Sequence, residues 1–559
     1  MRKSLSLFMA VLLAAALFLT ACQSPNGNQA GNAAEGNQSA AEGANGSQGG
    51  SAEGAGAFPL AEQKETLRVL AIHSDFVEDY ETNAFTQWYE ELTNVKVEWE
   101  FATSQEGQEK LNLALSSGDL PDVIMGFNVS PAQQMVYGQQ GIFLALNELI
   151  EQYGVETKQL FEAYPEVKKA STAPDGNIYS LSTIDRNPHT FTGQKMWIYT
   201  PWLEKLNLSM PTTTEEFENV LKAFKTMDPN GNGKADEIPM AGGIQNVNTA
   251  IDSFLMNAFL LHDKNTDLMM MSEDGKVDVN FNKPAYKEGL AYLNKLYAQG
   301  LIAPESFTQN NNQLKAMVEN GEPKVGVISS TVPQTFSDIA GERWKAYKTV
   351  PALAGPSGLR QTPYNYYNFA GGNFLITAEA ANPELAFRWA DALYNADINM
   401  RANIGEEGVG WKKPENGELG LNGEPANWIR LISYGTLQNN HWMQTSAFHF
   451  PREMFEGLAA GPTEIPRVLY EETMKNYEPY KMKQELKVPP IFFNEQQSAE
   501  LSDLKKTIMD YVSEMRTRFI IGDTSIEKDW DKYVSTLENM NLKRYLDINN
   551  EAYNAQYHQ

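Results

Sequence analysis

Leu67-Arg-Val-Leu-Ala-Ile-His73, Val95-Lys-Val-Glu-Trp-Glu-Phe101 and Asp122-Val-Ile-Met125 decide the fold of this chain. The first and third are short apolar runs, the pattern of strands covered on both faces. The second alternates Val95, Val97, Trp99 and Phe101 with Lys96, Glu98 and Glu100 at period two, the pattern of a strand with one buried face. Helical segments separate them, so the start of the folded body reads as a βαβαβ run and a largely parallel sheet. Phe217, Val220, Leu221 and Phe224 recur at helical spacing, as do Leu290, Leu293 and Leu296 before Gly300. Asn382-Pro383 is an N-cap followed by proline at the first helical position. Further strands are expected at 178–182, 196–200 and 324–328, and the fold class is α/β.

The chain has 559 residues, with 45 Lys and Arg against 71 Asp and Glu and a formal net charge of −26. That balance disfavours nucleic acid as a partner, because it offers no excess of cations to displace phosphate counterions. A single cysteine excludes an intramolecular disulfide framework and any site built from several thiolates. Arg2 and Lys3 precede an apolar run, the layout of an export signal spanning 1–21 that is too short for a membrane span. The signal ends in Leu19-Thr20-Ala21-Cys22, which resembles the lipobox of bacterial lipoproteins, whose cysteine is acylated. The resemblance implies that Cys22 carries a lipid anchor at the extracellular face of the cell membrane. Residues 22–57 contain nine Gly and nine Ala and no large apolar side chain. Such a segment cannot offset its backbone entropy by burial, and 22–65 reads as a flexible linker.

Ser117-Gly118-Asp119-Leu120-Pro121-Asp122-Val123-Ile124, the Asp175-Gly176-Asn177-Ile178-Tyr179 turn and the run from Trp197-Ile-Tyr-Thr-Pro-Trp202 to Pro211-Thr-Thr-Thr-Glu-Glu-Phe217 are similar to landmarks of family 1 extracellular solute-binding lipoproteins. Phe519-Ile-Ile-Gly522 and Trp530-Asp-Lys-Tyr533 extend the resemblance to the C-terminus, and large lipoproteins related to alginate-oligosaccharide binders match in size. The resemblance implies a two-lobed, periplasmic-binding-protein-like fold with discontinuous lobes, hinge strands and C-terminal helices. It implies an oligosaccharide held between the lobes and delivered to ABC transporter permease subunits, and presentation to a transporter fits a monomer. The expected lobes are 66–184 with 324–376, and 185–323 with 377–500, followed by C-terminal helices at 501–559.

Asp228-Pro-Asn230-Gly-Asn232-Gly233-Lys234-Ala-Asp236-Glu237 matches most of an EF-hand loop. Oxygen side chains stand at positions 1, 3 and 5, glycine at 6, the Lys234 carbonyl at 7 and a carboxylate at 9. Pro239 stands where the loop's bidentate glutamate belongs, and Glu237 could supply that ligand instead. The alginate-oligosaccharide binders carry a calcium loop with this spacing, so the resemblance implies a structural Ca2+.

Sugars present CH faces that stack on rings and hydroxyls that need polar partners, so loops mixing the two are informative. Trp411, Asn440 with Trp442, and Tyr366 and Tyr367 with Asn373 lie in such loops. Asp75, Phe76, Phe127 and Asn128 follow the first and third strands, where ligands of parallel sheets sit. Arg186 is a candidate fork for a ligand carboxylate. HExxH, GxSxG, Walker A and a GxGxxG after a strand are absent; that does not exclude a glycosidase, whose two carboxylates can lie far apart in sequence, and it is the resemblance that implies a binder and not an enzyme. The rival expectations are a lipid-anchored carbohydrate-active enzyme and a peptide receptor of the same fold.

Overall fold

A computed structural model describes residues 56–558. The export signal, Cys22 and the linker up to residue 55 lie outside the described residues. In chain order the strands are β1 (Glu65–Ile72), β2 (Val95–Ala102), β3 (Val123–Met125), β4 (Leu181–Asp185), β5 (Met196–Tyr199), β6 (Ile238–Ala241), β7 (Met269–Met271) and β8 (Val277–Val279). They continue as β9 (Val325–Ser329), β10 (Tyr347–Thr349), β11 (Phe369–Ile376), β12 (Trp411–Lys412), β13 (Trp428–Arg430), β14 (His449–Phe450) and β15 (Leu458–Ala459). The fold is α/β with two lobes, each centred on one of the two larger sheets.

The first sheet runs β14-β4-β11-β3-β1-β2 and the second β10-β5-β9-β6. In the first, β1 pairs parallel with β2 and β3, β14 pairs parallel with β4, and β11 is antiparallel to β3 and β4. The carboxyl ends of β1, β2, β3, β4 and β14 therefore open on one edge. In the second, β6 is parallel to β9, and β5 is antiparallel to both β9 and β10. Here β6, β9 and β10 end together. Residues 186–195 join the end of β4 to the start of β5, and 350–368 join the end of β10 to the start of β11. A third crossing, 451–464, leads from β14 to the helix Ile465–Asn476, whose Val468 and Leu469 pack in the core of the second sheet. The first two crossings join the carboxyl-end edges of the two sheets, which is the geometry of hinge strands.

Each sheet has its own apolar core. Helix Ala84–Thr93, capped by Asn83, buries Phe85 and Tyr89 against Trp389 and Trp442 beneath the first sheet. Helices Thr214–Thr226 and Pro284–Ala298 bury Phe217, Leu221, Phe224, Leu290 and Leu293 in the second. The C-terminal helices Glu495–Ile521, Ile526–Asn539 and Leu542–Tyr557 add Val512, Phe519, Tyr533 and Tyr545 to the second core. Their end also reaches the first lobe: Gln556 Nε2 donates to the Thr172 carbonyl at 3.3 Å, and Lys169 Nζ lies 5.0 Å from the Tyr557 ring centre.

The expected lobe boundaries need correction. Within 324–376, β9 and β10 are hydrogen-bonded into the second sheet and only β11 belongs to the first. Within 377–500, helix Pro383–Ala392 packs Leu385, Phe387 and Trp389 on the first core, and β14 extends the first sheet. An apolar run such as Val325-Gly-Val-Ile-Ser329 reports that a strand is buried, but its periodicity is the same in either sheet. The folded body also starts before residue 66, since Leu60 is buried in the first core and β1 begins at Glu65. The first of the C-terminal helices starts at Glu495 instead of 501.

Candidate ligand-binding cleft

Strand polarity brings most of the expected ligand residues to the first edge. Asp75 and Phe76 follow β1, Phe127 and Asn128 follow β3, Arg186 follows β4, and Tyr366 and Tyr367 lead into β11. Phe76 is 39% exposed, and Gly435 lies against its ring, where a Cβ would stand 3.8 Å away. Gly126 turns the chain at φ 83° and donates to the Asn373 carbonyl at 2.7 Å, which leaves Asn128 exposed at φ 51°. Asn373 is buried, with Nδ2 3.4 Å from Asn128 Oδ1 and no hydrogen-bond partner for its own Oδ1.

Other expected residues are already engaged. Trp442 is fully buried, donates Nε1–H to Thr86 Oγ1 at 2.7 Å and packs edge-on against Phe85 at 4.6 Å. It is core; nothing in Asn-Asn-His-Trp distinguishes a ring turned inward from one turned out. Arg186 is buried, with Nη2 2.7 Å from Glu166 Oε1 and its guanidinium 4.4 Å from the centre of the Tyr164 ring. Glu166 thus takes one end of the fork that a ligand carboxylate would need, while the buried Arg186 Nε has no hydrogen-bond partner among the described residues. Tyr366 donates its hydroxyl to the Met482 carbonyl at 2.6 Å and lies against Tyr364. Tyr367 is half-buried, as is Asn440, whose backbone N–H donates to Gln438 Oε1. Trp411 belongs to the small sheet β12-β13-β15 and packs on a separate core of Ile404, Leu421, Trp428 and Leu458.

The structure adds residues that sequence reasoning missed. Asp185, the last residue of β4, accepts the Asn187 N–H at 2.9 Å, and burial pushes its carboxyl up to about 6. Tyr434 is 56% exposed, one residue before the Gly435 that lies against Phe76. Burial raises its hydroxyl pKa, the Asp185 charge adds to that, and Arg430 opposes it. Burial lowers the Arg430 guanidinium to about 10, and its contact with a ring face, 5.2 Å from Trp428, is not an ion pair. A charged residue closing a strand was the available signal for Asp185; Arg430 and Tyr434 had none.

The second edge is different. Ile244 and Val247 are 59% and 42% exposed in the loop after β6. The buried amide oxygens of Gln194, Asn248, Asn311 and Gln334 have no hydrogen-bond partner among the described residues. Gln194 precedes β5, Asn248 follows β6 and Gln334 follows β9, so topology gathers them at the crossings. Buried acceptors without donors are costly unless something supplies hydrogen. A polyhydroxylated ligand supplies it. Elsewhere, a groove of about 310 Å³ between Lys168, Lys169, Thr172 and Gln556 has neither a ring face nor an unpartnered buried atom in its wall, so the strand-end edges are the better ligand site.

The Asp228–Glu237 loop sits at the opposite end of β6 from that edge. Asp228 accepts N–H groups of Gly231, Asn232 and Gly233 at 2.9 to 3.1 Å. Asn230 and Asn232 donate to Asp236 Oδ1 at 3.0 Å, and those bonds hold the Asp236 carboxyl below its usual range. Glu237 Oε1 is buried without a partner. The side-chain donors that the loop offers are oxygens, which suits a hard divalent cation, although among the described residues no three acidic side chains are gathered in the arrangement that would hold one.

A model of the bacterial extracellular solute-binding protein family matches residues 74–400. The chain belongs to that family. This solute-binding protein is 31% identical over 507 residues to the fructooligosaccharide ABC transporter substrate-binding protein FusA of Streptococcus pneumoniae serotype 4, covering 89% of this chain and 91% of FusA. The crystal structure of FusA with kestose superposes with a TM-score of 0.73 at 29% identity, covering 88% of this chain and 99% of that one. An EF-hand mutant of FusA with fructo-nystose gives 0.73 at 28% identity, with the same coverage. The alginate-binding protein AlgQ2 without calcium shares the fold, with a TM-score of 0.64 at 22% identity over 89% of this chain and 99% of that one.

Proposed function

We propose that this chain is a lipid-anchored receptor that closes two lobes around an oligosaccharide and presents it, as a monomer, to an ABC-type permease at the extracellular face of the cell membrane. The observation that carries the reading is the pair of carboxyl-end edges joined by two crossings, one edge with exposed rings and one with unpartnered amide oxygens. Ligand that touches both edges stabilises the closed state, whereas ligand held by one edge binds without shifting the equilibrium. FusA, named for fructooligosaccharides, directs attention to neutral fructans of kestose size. No step of the reading needs a nucleophile or a proton transfer, so the chain binds its ligand and releases it unchanged. Cys22 carries the anchor, and a structural Ca2+ is held by Asp228, Asn230, Asn232, the Lys234 carbonyl, Asp236 and Glu237.

A thermal-shift and calorimetric screen of residues 58–559 against kestose, nystose, uronic oligosaccharides and short peptides tests the reading. Saturation at a hundred times the dissociation constant adds about 2.7 kcal/mol, a shift of a few degrees, with the glycan recovered intact. Stabilisation by peptides alone, or conversion of the glycan, overturns it.

A further inference from the structure

Strand β11 does not pair evenly with β4. Ala370 stands opposite Thr183 and Phe374 opposite Leu181, so Gly371, Gly372 and Asn373 face the single residue Ser182 and form a β-bulge. Phe374 also pairs with Met125, the last residue of β3, which puts the bulge at the carboxyl end of that strand. Bulges re-aim side chains and are common beside functional sites. Gly372 has φ 68°, and a Cβ there would stand 2.0 Å from the Val129 carbonyl oxygen, so only glycine permits the approach. Two backbone bonds fix it: Gly126 N–H donates to the Asn373 carbonyl at 2.7 Å, and Val129 N–H donates to the Gly372 carbonyl at 2.8 Å. Asn128, just before Val129, and Asn373, just after Gly372, are thereby set side by side, with Asn373 Nδ2 donating to Asn128 Oδ1 at 3.4 Å.

A ring of side-chain bonds locks the same contact from below. Gln134 Nε2 donates to the Val129 carbonyl at 2.6 Å, Ser180 Oγ donates to Gln134 Oε1 at 2.8 Å, and Gly372 N–H donates to Ser180 Oγ at 2.9 Å. Gln134 and Ser180 are buried, and each polar atom of their side chains has a partner. The asparagine pair that this ring supports is different. Asn373 is 4% exposed and its Oδ1 accepts no hydrogen bond, while Nδ2 of the exposed Asn128 donates none among the described residues. A buried acceptor without a donor is costly, and a satisfied frame that holds one in a fixed place is a preformed polar site.

We infer that Asn373 and Asn128 form a subsite for two adjacent hydroxyls of a neutral sugar ring, and that Ser180 and Gln134 are its positioning residues. Asn373 Oδ1 accepts from one hydroxyl and Asn128 Nδ2 donates to its neighbour. Ser180 and Gln134 touch no ligand and act through the backbone of Gly372 and Val129. Both amides are uncharged, so the subsite offers a uronate carboxylate no countercharge. The inference rests on the receptor reading and deepens it, since it names the groups of the glycan that the first edge reads.

The test is calorimetric titration of residues 58–559 with kestose, nystose and a uronic trisaccharide, with unfolding curves in parallel. Wild type is expected to bind kestose or nystose in preference to the uronate. Asn373→Ala is expected to lose about tenfold in affinity, and Asn128→Ala about threefold with no change in melting temperature, because its side chain is exposed. Ser180→Ala is expected to lose about threefold or more, and Ser180→Thr, which keeps the hydroxyl, to recover most of that. Ser180→Ala combined with Asn373→Ala should bind no more weakly than Asn373→Ala alone, a coupling that a merely structural serine does not show. Gln134→Met keeps the volume and breaks the same ring, so it replaces Ser180→Ala should that variant fail to fold. Wild-type affinity in folded Ser180→Ala or Gln134→Met, or losses that add in the double variant, overturns the positioning role. Wild-type affinity in both Asn128→Ala and Asn373→Ala, or preference of wild type for the uronate, overturns the subsite and leaves the receptor intact. Failure of wild type to bind any of the three glycans sinks the receptor reading and the subsite with it.

Discussion

The two edges that meet at the crossings are built from different chemistry. The first offers rings and charge: Phe76 and Tyr434 are exposed, Asp185 ends β4, and Arg430 ends β13, the strand that leads into the Tyr434 loop. The second offers two exposed aliphatic side chains, Ile244 and Val247, among the unpartnered amide oxygens of Asn248, Asn311 and Gln334. Rings and charges give large contact energies and suit the lobe that captures ligand first. Neutral acceptors contribute little each but depend on geometry, which suits the lobe that must report whether the ligand is in place. The contrast teaches that capture and closure can be separated, and substitutions can break or sharpen it.

The largest effect is expected beneath the first edge. Trp442→Ala removes a fully buried indole from a cluster with Phe85, Tyr89 and Trp389, at a cost of about 3 to 5 kcal/mol of stability. Urea unfolding measures it, and the fraction that stays folded should bind kestose within about twofold of wild type. Lost binding at unchanged stability would move Trp442 from the core to the cleft wall and blur the contrast between support and contact.

Calcium removal comes next. Asp228–Glu237 feeds β6 from the end opposite Ile244 and Val247, so a bound ion steadies the root of the second edge without touching ligand. Chelation with EDTA should lower the melting temperature by a few degrees, about 2.7 kcal/mol if calcium had been at a hundred times its dissociation constant. Asp228→Ala should reproduce the shift and abolish any further response to EDTA. A collapse of ligand affinity larger than the loss of stability would put the ion in the cleft.

These regions also differ in how far the sequence reveals them. The EF-hand-like loop is legible because its oxygen side chains lie within ten consecutive residues at fixed spacing, and the structure keeps Asp228, Asn230, Asn232 and Asp236 in one hydrogen-bonded cluster. The α/β class was legible from period and run length, and β1, β2 and β3 form within one or two residues of expectation. Sheet membership was not, because β9 and β14 bury apolar side chains equally well in either sheet. The first edge was half legible: strand polarity forecasts that residues after β1, β3 and β4 converge, but Tyr434 arrives on a loop from another small sheet, just after β13. Nothing local marks Asn248 or Gln334, since an amide becomes informative only once its oxygen is buried without a donor.

Phe76→Ala tests capture directly. The ring is exposed on the first edge with Gly435 behind it, so its removal should cost roughly 1 to 3 kcal/mol of glycan binding with little change in melting temperature. The loss should fall on the dissociation rate, because the encounter is not steered by this uncharged side chain. Unchanged affinity would leave Tyr434 as the stacking face and narrow the first edge to a single platform.

The smallest change in affinity is expected from Asn248→Ala, and it carries the sharpest distinction between the edges. Asn248 Oδ1 lacks a donor, while the Asn248 carbonyl accepts the Ser329 hydroxyl at 3.1 Å, so the substitution removes an unpartnered acceptor and leaves the backbone anchored. One neutral hydrogen bond contributes about 0.5 to 1.5 kcal/mol, a modest loss by calorimetry. Its effect on conformation should be larger than that figure implies, because a ligand shifts the open-closed balance only by its differential contact with the closed form. Small-angle scattering with saturating kestose should therefore show compaction of wild type and Phe76→Ala alike, but less of Asn248→Ala. Equal compaction in all three would mean that rings and amides do not divide capture from closure, and that the first edge alone drives the hinge.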